Sequence, residues 1–185
     1  MNSKGQAKLY YLYMMSDGDV SENEMKIFSK ICEELHLNED DRKSIIKECK
    51  KIRNDEDMTC IDVIEKNAEE TYIYGTLDID LNKYDSDEDK AKILWNLINL
   101  GYVDTHYSVD EREVVDFLRE YWDISDVLYQ EMIDVAETCL ALEKHKKWIE
   151  NLPDSDYKLK KIKQVKKDIK FAQYTIVATI SEINF

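Results

Sequence analysis

Apolar side chains recur at helical spacing along almost the whole chain, and polar helix-start residues separate one run from the next. This pattern predicts helices over residues 2–16, 21–36, 39–53, 60–73, 87–101, 109–122, 126–150 and 155–183. The first run contains LYYLYMM, which is apolar on almost every side and therefore predicts a central helix covered by the others. Residues 72–89 alternate briefly like a strand, but no second strand is available to pair with them. We interpret them as an irregular connector and predict an all-α protein.

An offset of 87 residues superposes the two halves of the sequence. Polar residues at a corner between helices coincide, because Asp17, Ser21 and Glu24 fall on Asp104, Ser108 and Glu111. Apolar positions coincide in the same register, with Phe28, Ile31, Leu35 and Leu37 falling on Val115, Leu118, Trp122 and Ile124. This agreement indicates an internal duplication of helix, corner, helix, helix. We therefore predict a compact bundle of two pseudo-repeated helical halves, about 5–70 and 87–150, within a domain at 1–150.

The C-terminal segment, residues 151–185, differs from this domain in charge. After Pro153, which should end the preceding helix, residues 155–183 show one long amphipathic pattern. Residues 144–185 hold ten lysines against five carboxylates, a balance of +5, whereas the whole chain carries −14, so residues 1–143 carry −19. Such a basic helix can pack on the acidic body or make a peripheral contact with a membrane, and we favour the acidic body.

Composition bounds the class of protein further. The chain has 185 residues, 43% of them apolar, with only 4 glycines and 1 proline, which suits long helices joined by short corners. No apolar run approaches the roughly 20 residues needed to span a bilayer, and the N-terminus lacks a signal-peptide pattern, so we expect a cytoplasmic protein. The spacing of the 4 cysteines suits neither zinc nor a disulfide framework, and we expect reduced, packed thiols. The net negative charge of the chain would repel the phosphates of nucleic acid, which argues against nucleic acid as a partner.

The first corner contains SDGDVSENE, residues 16–24, where acidic side chains surround a glycine. One interpretation of this corner is purely structural. Ser21 with Glu24, and Ser108 with Glu111, have the spacing of a capping box, in which each side chain satisfies the backbone amide of the other residue. The repeated pair therefore needs no ligand to explain it.

The other interpretation is a site for a hard cation. Carboxylates can supply oxygens to calcium or magnesium, and the candidate ligands are Asp17, Asp19, Glu24, Asp104 and Glu111. An EF-hand is excluded, because Glu22 stands where that loop needs glycine and Phe28 where it needs a bidentate glutamate. A glutamate that closes a capping box is less free to bind metal, and both interpretations stay open.

The repeated corners resemble the TerB-like group, which is named for bacterial tellurite resistance and is related to the N-terminal region of a membrane-anchored DnaJ co-chaperone. The resemblance covers about residues 5–150 and is clearest at MMSDGDVSENEMKIFSKICEEL. It is weaker at VDTHYSVDEREVVDFLREYWDI, where Thr105 replaces the expected glycine. It implies a compact all-helical domain of two similar halves, a metal-sensing or scaffolding role, and the same five candidate ligands. The family pattern has no counterpart of the helix at 155–183.

No catalytic constellation stands out. His36, His106 and His145 have no nucleophile at a spacing that suggests paired action, and no glycine-rich phosphate loop is present. We therefore expect a non-enzymatic stress-response or interaction module with a protein partner, and with a divalent cation at its acidic corners. The alternative is an acidic immunity or inhibitor protein that binds a basic partner protein. The charge of −19 on residues 1–143 suggests this alternative.

Overall fold

The computed structural model describes residues 2–18, 20–55, 59–69, 79–82, 86–102 and 107–182. Within these ranges the chain forms helices and no strand, which confirms the predicted all-α fold. The helices are α1 (Ser3–Met14), α2 (Glu22–Glu34), α3 (Glu39–Asp55), α4 (Cys60–Glu69), α5 (Asp87–Gly101), α6 (Val109–Tyr121), α7 (Asp126–Glu150) and α8 (Asp156–Glu182). Most of the connector expected at 72–89 lies outside the described residues.

Helix α1 is the centre of the bundle, as its sequence predicts. Every residue from Ala7 to Met15 is buried, and α1 packs against α2, α3, α4, α5 and α6. The polar exception is Lys8, whose Nζ lies 2.8 Å from Glu48 Oε2 on α3. A helix that is apolar all round gains its stability by removing all of its faces from water, and here the neighbouring helices provide that cover.

The two halves of the bundle end their second helices in the same way. His36 after α2 and Asp123 after α6 both adopt positive φ, 57° and 55°, and these positions differ by the offset of 87. The next residue donates its amide back across the helix end in each case, Leu37 N to Cys32 O at 2.8 Å and Ile124 N to Arg119 O at 2.9 Å. These two helix ends are therefore alike at the predicted offset, while the pseudo-repeat of two halves, its origin by duplication and the domain boundary at 150 stay predictions.

Helices α7 and α8 form a hairpin at the C-terminal end. The predicted long C-terminal helix is confirmed as α8, whose last turns pack on the body through Ile176 and Ile180. Ser181 Oγ also lies 3.1 Å from Glu88 Oε1 on α5. The first half of α8 packs instead on the second half of α7, around a separate apolar cluster that includes Val165 and Ile169. Among the described residues, no helix has the length and apolar content to cross a membrane.

Candidate functional site

The first corner begins where α1 stops. Ser16 Oγ donates to Tyr13 O at 2.7 Å, and Gly18 N donates to Met15 O at 3.3 Å, which closes the end of the helix. Gly18 then takes φ 141°, a conformation that glycine adopts without steric cost. The side chain of Asp17 is exposed in this turn. The local sequence thus directs one acidic residue outward directly after the buried helix.

Both S-x-x-E pairs form complete capping boxes, which confirms the structural interpretation of the corners. In the first, Ser21 N donates to Glu24 Oε2 at 2.7 Å and Glu24 N donates to Ser21 Oγ at 3.2 Å. In the second, Ser108 N donates to Glu111 Oε2 at 2.8 Å and Glu111 N donates to Ser108 Oγ at 3.1 Å. Glu24 and Glu111 are only 8% and 4% exposed, so each box places a carboxylate inside the protein.

The two capping boxes meet around the end of α1. Burial raises the pKa of Glu111 to about 7, hydrogen bonds from Ser108 oppose this rise, and the carboxylates of Asp17 and Glu24 add to it. Burial also raises the pKa of Tyr13 well above its usual range, and the same three carboxylates contribute to the rise. Asp17, Glu24 and Glu111 therefore lie within electrostatic range of one phenol at the junction of the two halves.

Tyr13 and Gly101 pack against each other at this junction. The Tyr13 hydroxyl is fully buried, and it has no hydrogen-bond partner in the part of the chain that the structure describes. It lies against the backbone of Gly101 so closely that a Cβ there would stand 2.4 Å from the hydroxyl oxygen and 2.6 Å from Tyr107 Cδ2. Sequence reasoning missed both residues, because Tyr13 reads as a core side chain and Gly101 as an ordinary helix end.

The predicted ligands divide into three groups. Asp17 is exposed at the first corner, Glu24 and Glu111 are buried in capping boxes, and Asp19 and Asp104 lie outside the described residues. Within the described ranges, no three His, Cys, Asp or Glu side chains converge closely enough to hold a metal ion. The structure thus brings Asp17, Glu24 and Glu111 into one electrostatic environment, and the cation site stays a prediction.

A cleft of about 220 Å³ opens beside the first corner. The first turns of α4 and α6 form its walls together with the end of α1, through Met15, Ser16, Thr59, Cys60, Ile61, Asp110 and Glu113. Asp110 and Glu113 add two exposed carboxylates to the acidic side of the molecule. Cys60 is buried there, consistent with the expected packed thiols, since all four cysteines are buried and, among the described residues, none forms a disulfide bond. Oxygen donors therefore dominate the polar groups on this side.

The fold and the junction define an all-α domain with two capped acidic corners. The family model described as tellurite resistance protein TerB matches residues 6–134, which is more than half of the chain. The protein therefore belongs to the TerB family, and the resemblance noted in its sequence is confirmed. The comparisons with curated proteins and with solved structures returned no match. The second part of α7 and all of α8 lie beyond the matched residues.

Removing either serine cap should destabilise the protein by similar amounts. We expect Ser21→Ala and Ser108→Ala each to lower the free energy of unfolding by about 1 kcal/mol, because each leaves a helix-start amide without its acceptor. Urea denaturation measures the loss, and Ser3→Ala, at an exposed position on α1, is the matched control. A loss confined to one of the two boxes would contradict the equivalence of the halves.

Proposed function

We propose that this protein is a non-enzymatic, cytoplasmic interaction module of the TerB family in which the acidic corners bind a divalent cation. The observation that supports this function is the shared electrostatic environment of the Asp17, Glu24 and Glu111 carboxylates, each of which acts on the buried Tyr13 phenol. Like charges so placed repel one another, and a cation beside them would relieve that repulsion. A cation bound at the junction would touch both halves and thereby link their relative positions to its concentration.

The donor chemistry favours a hard cation. Asp17, with the predicted ligands Asp19 and Asp104, offers carboxylate oxygens, which calcium and magnesium prefer over the nitrogen and sulfur ligands typical of zinc. Glu24 and Glu111 each commit Oε2 to a capping amide, so we expect them to act mainly by charge, with Asp17 as the more accessible ligand. Because the raised pKa of Glu111 favours its neutral form near pH 7, cation binding should strengthen as the pH rises above that value.

Isothermal calorimetry with calcium and with magnesium tests the cation site. We expect the wild type to bind at least one of the two with weak to micromolar affinity, and Asp17→Asn and Asp104→Asn each to weaken it at least tenfold. Asp134→Asn is the matched control, because it removes the same charge from an exposed position on α7 and should bind as the wild type does. Absence of heat with the wild type, or equal heat with all three variants, would contradict the proposal.

Capture from a lysate of the source cells, with and without the cation that binds, tests the interaction role. Proteins retained by the wild type only when the cation is present, and lost with Asp17→Asn, would support a cation-dependent module. Identical sets of retained proteins with and without the cation would show that the interactions do not depend on cation binding.

A further inference from the structure

The second half of α7 and the first half of α8 form a two-helix arm, residues 139–170, which we name the basic arm. Its buried side chains, Cys139, Ile149, Val165 and Ile169, form a cluster separate from the main core. The partly buried side chains around that cluster also come only from these two helices and their turn. At 1.5 Å per residue, the α7 part of the arm is about 18 Å long. The basic arm is therefore a projection with its own apolar core.

The charge of the basic arm is opposite to that of the rest of the chain. It holds ten lysines against five carboxylates, a balance of +5, and it contains no arginine. Two of the lysines have carboxylate partners, Lys146 with Glu143 and Lys158 with Asp154. In the described part of the chain the other eight make no ion pair: Lys144, Lys147, Lys160, Lys161, Lys163, Lys166, Lys167 and Lys170. No carboxylate of the described residues neutralises their charge.

Large apolar side chains are exposed at the tip of the same arm. Trp148 in the last turn of α7 is 60% exposed, and Tyr157 and Leu159 in the first turn of α8 are 62% and 67% exposed. Elsewhere in the described residues, the exposed large apolar side chains are Val109 and Val127 before residue 139, and Phe171, Tyr174 and Val177 farther along α8. Exposed apolar groups that lie close together, as at the tip, indicate an interaction surface. Here they flank the turn at residues 151–155, at the end farthest from the main core.

We propose that the tip of the basic arm docks on the surface of an anionic phospholipid bilayer. Trp148, Tyr157 and Leu159 enter the boundary between headgroups and acyl chains, and the unpaired lysines bind the negatively charged headgroups around them. The arm keeps the acidic body away from the surface. Its length of about 18 Å exceeds the screening distance of about 8 Å at physiological salt, so repulsion between body and lipid is weak.

Two other occupants fit the arm less well. The acidic body of a second copy has the complementary charge, but its described residues before α7's arm segment expose only Val109 and Val127 to receive the three tip side chains. The exposed Phe171, Tyr174 and Val177 directly follow lysines of α8, whose charge has the same sign as that of the tip. Nucleic acid would match the aromatic and basic side chains of the arm. The cationic side chains there are all lysines, however, and the planar guanidinium of arginine is better suited to bind a phosphate with two hydrogen bonds. A bilayer accepts both the apolar tip and the diffuse lysine charge.

Tryptophan fluorescence gives a direct test with the full chain. Trp95 and Trp122 are buried, at 4% and 5% exposure, so Trp148 is the tryptophan whose emission should respond to lipid. On adding vesicles of phosphatidylcholine and phosphatidylglycerol in equal parts, we expect a blue shift and quenching by brominated acyl chains. Phosphatidylcholine vesicles should give neither, and Trp148→Phe should abolish both signals with anionic vesicles.

Vesicle flotation separates the contributions of tip and charge. We expect W148S/Y157S/L159S and K160E/K163E each to reduce the membrane-bound fraction at least tenfold, and added salt to weaken binding of the wild type. K26E/K30E, which reverses two exposed lysines on α2, is the matched charge control and should float as the wild type does. All of these side chains are exposed, and circular dichroism should confirm unchanged helix content.

Three outcomes would overturn the membrane assignment. The first is no flotation of the wild type with anionic vesicles at low salt, and the second is flotation that the tip variant leaves unchanged. The third is lysine-dependent binding to single-stranded RNA or to a second copy of the chain, without flotation. None of these outcomes bears on the cation site, because the arm and the acidic corners involve different residues.

Discussion

Gly101→Ala is expected to lower the free energy of unfolding by about 2–3 kcal/mol, although alanine is the better helix former. In a helix without steric hindrance, a change from glycine to alanine would raise the free energy of unfolding by up to about 1 kcal/mol. Here the new Cβ would stand 2.4 Å from the Tyr13 hydroxyl and 2.6 Å from the Tyr107 ring, well inside van der Waals contact. Tyr13 is fully buried and cannot turn aside without moving its neighbours, so overpacking outweighs helix propensity. Urea denaturation of the two proteins measures the difference.

A double-mutant cycle with Tyr13→Phe tests the cause of that loss. Tyr13→Phe removes the oxygen that the new methyl group would meet, and it removes a buried hydroxyl without a hydrogen-bond partner in the described residues. We therefore expect Tyr13→Phe alone to be neutral or stabilising, and the double variant to be more stable than the sum of the single effects by at least about 0.5 kcal/mol. Strict additivity would show that the loss at Gly101 arises elsewhere.

The helices and their caps could be predicted from sequence because they depend on neighbours three or four residues away. Ser21 and Glu24 form their box with each other, and the period of apolar residues marks the buried face of each helix. The same offset that related the two boxes in sequence relates the positive-φ residues His36 and Asp123 in the structure. Interactions between residues close in sequence were therefore sufficient to predict the helices and their caps.

The junction could not be predicted, because its members are far apart in the chain and are brought together by packing. Glu111 contributes to the environment of Tyr13 across almost 100 residues of sequence. The S-x-x-E spacing marks Glu111 as a cap and candidate ligand, but no local pattern relates it to Tyr13. The capping interpretation was thus accessible from sequence, but the burial of the capping glutamates was not. The cation prediction names Asp17, Asp19, Glu24, Asp104 and Glu111, of which Asp19 and Asp104 lie outside the described residues.

The basic arm shows a similar limit. Its lysines were evident in the sequence, but the same pattern of lysines and apolar residues fits a helix lying on an acidic surface and a helix that pairs with α7. The deciding feature is the cluster of Val165 and Ile169 with Cys139 and Ile149, a tertiary contact between two helices. With that contact formed, the lysines of the arm make no ion pair with the described residues of the body.

Glu111→Gln is expected to change stability in a manner that depends on pH. Burial raises the pKa of Glu111 in the folded protein to about 7, whereas an unfolded chain has a value near 4.3. The folded state therefore binds the proton more tightly, and the contribution of Glu111 to stability falls as the pH rises from about 4.3 to about 7. Glutamine avoids this loss because it is neutral, and its amide oxygen can still accept from Ser108 N.

Urea denaturation at pH 5 and pH 8, with a chelator present, gives the measurement. At pH 5 we expect the variant to be equal to the wild type or slightly weaker, because glutamine caps less well than a carboxyl group. At pH 8 it should be more stable than the wild type by about 1–2 kcal/mol, since about 1.4 kcal/mol accompanies each unit of pKa shift and the weaker capping by glutamine offsets part of the total. Glu113→Gln, exposed in the same turn of α6, should give the same difference at both pH values. If the wild type instead becomes more stable relative to Glu111→Gln between pH 5 and pH 8, the folded protein stabilises Glu111 as the anion. The repulsion among the three carboxylates, from which the cation site is argued, would then be absent.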